Sequence, residues 1–230
     1  MKSLKIMKDQ SLYQSGARAL NRPYSVKHIP IKRIFDIAFS LSAILVLSPL
    51  FVLIAVGIWC CSRGKVIYSQ KRIGRGGILF HCYKFRTMYE DADSRLHDIL
   101  ENDPAKRKEW DETHKLKNDP RVTPIGVFLR KTSLDELPQF WNVLKGDLSV
   151  VGPRPVTQQE IAKHFGESAN KILSLRPGIT GLWQISGRSD ISYPKRIALD
   201  EHYIYHRSFL LDMKIIALTI PRILSRKGAY

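Results

Sequence analysis

The stretch Arg130-Lys131-Thr132-Ser133-Leu134-Asp135-Glu136-Leu137-Pro138-Gln139 holds the sharpest chemical constellation in the chain. Adjacent carboxylates preceded by two cations suit a site that handles phosphorus. Aspartate and glutamate are covalent nucleophiles toward phosphoryl groups, and Mg²⁺ is usually held by one or two carboxylates together with substrate phosphates. The plainer reading is a capping box, Ser133 paired with Glu136, opening a helix that runs toward Gly146. Pro138 discriminates between the possible helix starts. With Ser133 as N-cap, the proline would be the fifth helical residue, losing a hydrogen bond and colliding with the carbonyl four residues back. With Asp135 as N-cap it is the third, where no intrahelical donor is needed. The spacing predicts a helix beginning near Asp135, with both carboxylates at the positive end of its dipole.

Further cations sit in stiff contexts. Lys84 and Arg86 are two apart in the strand-like run YKFRTM, so both point to one face and suit a diphosphate; a solvated sheet face would show the same pair. Arg154 lies in Gly152-Pro153-Arg154-Pro155, Arg176 precedes Pro177-Gly178, and Arg188 follows Gly187. Three such arginines beside an acidic pair point to an anionic substrate. His202 and His206 have helical i,i+4 spacing, but no zinc-protease glutamate accompanies them.

The elements that must position these groups begin with an apolar run. Residues 37–61 carry no charge over 25 positions, long enough for a bilayer core that takes roughly 20 residues. About 36 polar or mixed residues precede it, which excludes a cleaved secretory signal. Ser48-Pro49 falls near its middle, so each half reaches only about the bilayer midplane. Lys32 and Arg33 stand before it, Arg63 and Lys65 after it, and the positive-inside rule draws both ends to the cytoplasm. A hairpin entering and leaving by one face meets both demands. A proline-kinked single crossing and a buried core helix remain open on these residues alone.

Residues 1–30 read as a basic flexible tail, residues 31–62 as the membrane segment and residues 63–230 as a catalytic domain. Residues 66–74 and 78–88 are β-branched and aromatic runs joined through Gly74, Gly76 and Gly77, a predicted β-hairpin. Residues 89–117 are helix-permissive up to Asn118-Asp119-Pro120, and a short helix is expected around residues 125–130. Residues 203–224 suit an interfacial amphipathic helix or one packed on the core. The fold class is therefore α+β, mainly helical, with a proline-broken re-entrant helix and a small β-hairpin.

The composition narrows the function classes. Lys and Arg number 37 against 21 Asp and Glu, a net charge of +16, which favours polyanionic partners: nucleic acid, acidic lipid or phosphorylated small molecules. No recognised nucleic-acid motif or aromatic stacking cluster accompanies the charge, so nucleic acid is not an expected partner. Three cysteines, two adjacent, exclude a disulfide-stapled module and a four-cysteine zinc site. The glycines of the predicted hairpin fail the dinucleotide spacing, since Leu79 stands where the last glycine is needed.

Several long motifs in order resemble one family: KRIFD (residues 32–36), Ser48-Pro49, YKFRTM (residues 83–88), KTSLDELPQ (residues 131–139), NVLKGDLSVVGPRP (residues 142–155) and RPGITGLWQISGR (residues 176–188). They resemble the bacterial sugar transferases, monotopic polyprenyl-phosphate hexose-1-phosphate transferases, over roughly residues 31–228. The chain looks like a catalytic-core-only member, similar to the galactose-phosphate-transferring enzymes of exopolysaccharide synthesis. The resemblance implies a re-entrant anchor in the bacterial inner membrane and a catalytic domain on its cytoplasmic face. It also implies a Mg²⁺-dependent ping-pong reaction. Asp135 would take the phosphosugar from a UDP-sugar, releasing UMP, and pass it to polyprenyl phosphate. Glu136 would hold the metal, and Lys84, Arg86, Arg154 and Arg188 would contact phosphates. Ser189 departs from the asparagine many members carry there. The sugar, galactose or glucose, and the oligomeric state, a homo-oligomer included, stay open.

Overall fold

The computed structural model describes residues 30–113, 116–187 and 191–224. The basic tail and Arg188 lie outside the described residues.

Helix α1 (Pro30–Cys61) begins on a proline, whose missing N–H costs nothing at a first helical turn. It stays helical through Pro49. The proline removes the donor that the Leu45 carbonyl would use, and the Ser48 hydroxyl donates to that same carbonyl at 2.8 Å. In an apolar surround an unpaired carbonyl costs several kcal/mol, so the Ser-Pro pair carries its own repair.

Both ends of α1 pack on the same domain. At its N-terminal end, Lys32 Nζ donates to Asp212 at 2.7 Å, and Arg33 donates to the carbonyls of Val143 (2.7 Å) and Leu144 (3.0 Å). Asp36 accepts from Ser149 Oγ at 2.7 Å and from the Val150 N–H at 3.1 Å. Phe39 lies against Phe140, ring centroids 6.1 Å apart. Toward its other end Phe51 meets Phe85 at 5.5 Å, and Ile54 and Ile58 are buried with Phe85 and Leu129. The side chains of Leu45, Val46, Leu53 and Trp59 stay exposed.

Strands β1 (Ile67–Ile73) and β2 (Leu79–Phe85) form the predicted antiparallel hairpin, with Tyr68 opposite Lys84 and Ile73 opposite Leu79. Its turn needs glycine: Gly76 and Gly77 have φ of 69° and 81°. Helices α2 (Ala92–Asn102) and α3 (Pro104–Thr113) fill the expected helical stretch, divided at Asp103-Pro104. Helix α4 (Pro124–Thr132) follows, capped by Thr123, whose hydroxyl accepts from the Gly126 N–H. Helix α5 (Gln139–Lys145) leads to β3 (Ser149–Val151).

Strand β3 pairs in parallel with β4 (Gly178–Thr180), a second sheet that the sequence reading lacks. Three-residue strands carry no legible period. Close backbone approach explains the glycines: a Cβ on Gly178 would stand 2.1 Å from the Gly152 nitrogen, and one on Gly152 would stand 2.6 Å from the Arg176 carbonyl oxygen. This approach brings the Arg154 turn and the Arg176 turn together.

Helix α6 (Gln158–Glu160) opens with a capping box from Thr157 and passes into a wider turn at Ile161–Phe165. Helices α7 (Ser168–Ile172), α8 (Leu182–Ser186), α9 (Tyr193–His206) and α10 (Phe209–Leu224) complete the domain. The C-terminal apolar run is thus two helices. One face packs, with Tyr203, Ile204, Asp212 and Ile215 buried, while Leu210, Leu218 and Ile220 are exposed.

Candidate active site

Neither predicted start for the helix after Ser133 is the one formed. Ser133 has φ +57° and closes α4 as its C-cap, so no capping box with Glu136 exists. Leu134–Glu136 forms a single tight turn, in which Glu136 and Leu137 donate to carbonyls three residues back. Pro138 has no donor to continue the series, and α5 starts at Gln139. The acidic pair therefore sits in a turn ahead of a seven-residue helix. Side-chain cations, rather than a helix dipole, supply its positive surroundings.

Asn142 sets those surroundings. Fully buried, it accepts from the Tyr83 N–H (2.9 Å) and donates to the carbonyl of His81 (2.7 Å) and to Asp147 (3.0 Å). The clamp fixes β2 against α5 and so brings Lys84 to the turn. Lys84 Nζ donates to Glu136 Oε1 at 2.7 Å and stands 3.8 Å from Asp135 Oδ2. Burial works against the Lys84 charge, but Glu136 and then Asp135 outweigh it, and its pKa is raised. Arg130, at the end of α4, donates from Nε to Thr87 Oγ1 at 2.9 Å and lies close enough to Asp135 for each charge to act on the other.

Asp135 is 9% exposed. Burial first, and then the neighbouring Glu136 charge, push its carboxyl up to about 6; Lys84 and Arg130 oppose them. Such a carboxylate is ionised at neutral pH yet more basic than an exposed one, a fitting state for a nucleophile. The donor set for a cation is the two adjacent carboxylates. Among the described residues no three His, Cys, Asp or Glu side chains gather as a metal cage. Two carboxylates, with water and substrate phosphates completing the shell, fit Mg²⁺.

Arg154 stands near this group: its charge opposes protonation of Lys84. Arg86 does not. Strand β2 ends at Phe85, so the alternation that would aim Arg86 beside Lys84 stops short. The Arg86 guanidinium instead donates to the carbonyl of Ser62 and, at 3.1 Å, to that of Arg63, just past the end of α1. Arg86→Ala is expected to lower stability by roughly 2 kcal/mol, the worth of charged hydrogen bonds to those carbonyls, with donor KM unchanged. Melting curves and donor titrations check it. An unchanged melting temperature with a raised KM would return Arg86 to the substrate site.

The sequence reading also missed Asp200. It is 2% exposed and accepts from the Arg154 backbone N–H. Burial raises its pKa from 3.8 to about 7, against that hydrogen bond and the Arg154 and Arg196 charges. Its ionised form is thus disfavoured in the folded chain. The resulting penalty is absent below about pH 4, grows as pH rises and is complete above about pH 7. Asp200→Asn is expected to raise the melting temperature at pH 8 and to leave it unchanged at pH 4, which thermal melts across that range will show.

Paired carboxylates among cations, on a domain that carries an exposed apolar helix, form a site with the charges to meet an anionic group. Helix α1 is long and apolar enough to cross a membrane by length and composition. The chain belongs to the bacterial sugar transferase family, whose model matches residues 27–226. It is 46% identical over 199 residues to the exopolysaccharide production protein ExoY of Sinorhizobium fredii, covering 86% of this chain and 88% of that one. It is 47% identical over 202 residues to a UDP-galactose-lipid carrier transferase of Erwinia amylovora, covering 87% and 42%. The undecaprenyl-phosphate galactose phosphotransferase of Salmonella typhimurium is 44% identical over 200 residues, covering 87% and 42%. The chain thus spans less than half the length of the latter two relatives. It is a phosphoglycosyl transferase by these similarities.

Proposed function

We propose that this protein transfers a hexose-1-phosphate, galactose or glucose, from a UDP-sugar to polyprenyl phosphate, as a first membrane step in exopolysaccharide or related glycan synthesis. The reading is carried by Asp135, a buried, basic carboxylate set between Lys84, Arg130 and Glu136. The names of the Erwinia and Salmonella relatives, which include UDP-galactose and undecaprenyl phosphate, support it. An Asp135 oxygen bonds to the sugar-bearing phosphorus as the bond to the bridging oxygen breaks. UMP departs with that oxygen and its electron pair. An oxygen of polyprenyl phosphate then attacks the same phosphorus and releases Asp135. Glu136, beside Asp135, would hold Mg²⁺, which when bound offsets phosphate charge. Lys84 and Arg154 would orient the phosphates, and Arg188 is proposed for the same work on its motif alone.

The anchor is proposed to be re-entrant, with the domain on the cytoplasmic face of the inner membrane. Phe39 and Phe51 both touch this one domain. The 12 helical steps from Phe39 to Phe51 rise about 18 Å, well short of a ~30 Å hydrocarbon core. Cysteine labels on the tail and on the Gly74–Gly77 turn are expected on the same membrane face; labels on opposite faces contradict the re-entrant anchor. The activity is tested by UMP release from UDP-galactose and UDP-glucose with Mg²⁺ and undecaprenyl phosphate. Repeated turnover of UMP from one of them, dependent on both additions, is expected, with at most one UMP per enzyme when undecaprenyl phosphate is withheld. No release from any UDP-hexose contradicts the reading.

A further inference from the structure

Away from the acidic pair, four polar atoms in one locus are sealed from solvent without a hydrogen-bond partner: Arg154 Nε, Trp183 Nε1, Arg196 Nε and Asp200 Oδ1. They adjoin one another around the Trp183 ring. The Arg154 guanidinium lies 4.8 Å from its centroid and the Arg196 guanidinium 4.4 Å, with Arg196 also 4.7 Å from the Tyr193 ring. Asp200 accepts the Arg154 backbone N–H. Trp183 is 3% exposed and Asp200 2%. Each unmade hydrogen bond of this kind leaves a desolvation penalty uncompensated, and the two guanidiniums also repel. Native chains keep such groups where a ligand repays them.

Two partly desolvated guanidiniums suit a doubly charged phosphate. Position decides which one. Arg154 acts electrostatically on Lys84, so the cluster starts where the catalytic group ends. Leu134 and Leu137, flanking the acidic pair, pack with Ile54 and Ile58 of the anchor. Val156 and Ile197, near the two arginines, pack instead in the core around Phe165 and Ile172, a cluster with no α1 residue, although Leu182 and Ile185 on the Trp183 helix pack with Phe39 near the start of α1. With a lipid phosphate arriving beside Ile54 and Ile58, the place of the two arginines favours the water-soluble substrate.

We propose that Arg196, stacked on Trp183 in series with Arg154, cradles the phosphate of the departing nucleoside monophosphate. This rests on the transfer reading above. When the bond to the bridging oxygen breaks, the electron pair left on that oxygen adds charge to the nucleotide phosphate, with no proton needed. Guanidiniums already fixed there stabilise that charge without reorganising. Trp183 is a positioning residue: its ring holds the two arginines apart at a set spacing.

Equilibrium binding of UMP to the purified full chain in lipid nanodiscs tests this independently of turnover. Arg196→Ala is expected to weaken UMP binding at least tenfold. Arg196→Lys should keep the wild-type melting temperature yet recover only part of the affinity, and Trp183→Phe should lose about threefold. In turnover, KM for the UDP-hexose rises in step and KM for polyprenyl phosphate stays within twofold. Should Arg196→Ala misfold, Arg196→Lys and Trp183→Phe carry the comparison. Wild-type UMP affinity in the folded variants, no UMP binding by the wild type, or a rise in polyprenyl-phosphate KM instead overturns the cradle. A wild type that binds UMP through Arg196 but releases none from any UDP-hexose overturns the transfer reading and leaves the cradle standing.

Discussion

Asp135→Asn is expected to cut UMP release by more than about a thousandfold, the scale on which removal of a covalent nucleophile is felt. The substitution keeps the volume and the buried position and removes only the charge. Because Asp135 and Glu136 repel in a buried turn, neutralising one relieves a cost, and the melting temperature is expected to hold or rise. Loss of turnover with undiminished stability separates chemistry from folding. Activity assays and melts on one preparation check both halves; wild-type turnover, or loss only through unfolding, contradicts the assignment.

The second large effect is expected at Lys84. Its ammonium stands 2.7 Å from Glu136 and lies within 4 Å of both carboxylates. Lys84→Met leaves two like charges in a turn where the Glu136 side chain is 35% exposed, so the loss of stability is expected to be about 1–3 kcal/mol, below that for a fully buried pair. Turnover is expected to fall about a hundredfold, since the phosphates also lose a fixed positive charge. The double variant Lys84→Met, Glu136→Gln restores charge balance. It should recover most of the stability and none of the activity. Recovery of turnover in the double variant would mean that Lys84 serves only the fold.

Much of this was legible where the signal is local. The charge-free run of α1 and the glycine-turned hairpin follow from composition and period, as does the helix after Asn118-Asp119-Pro120. The acidic pair stood out by the cations, the stiff arginine loops and the motif around it, since adjacent carboxylates alone mostly solvate a helix start; its local structure was not legible. A proline's missing donor is compatible with a helix start or with a tight turn before one, and the αL conformation of Ser133 decided for the turn. The bonds of Arg86 to the end of α1 were not legible because strand alternation cannot be extended past the strand's end. Asn142, Trp183, Arg196 and Asp200 went unread because their partners are distant in sequence; Asn142 bonds residues 59 and 61 positions away. Such residues look ordinary until the chain is folded.

The most direct test is to incubate the protein with a UDP-hexose labelled in the sugar-bearing phosphate, withhold polyprenyl phosphate, quench, and map the label by peptide mass spectrometry. The expected result is one phosphosugar on the peptide containing Asp135, absent in Asp135→Asn and discharged when polyprenyl phosphate is added. Label on another residue, or full turnover with no labelled enzyme at any time, would contradict a covalent role for Asp135.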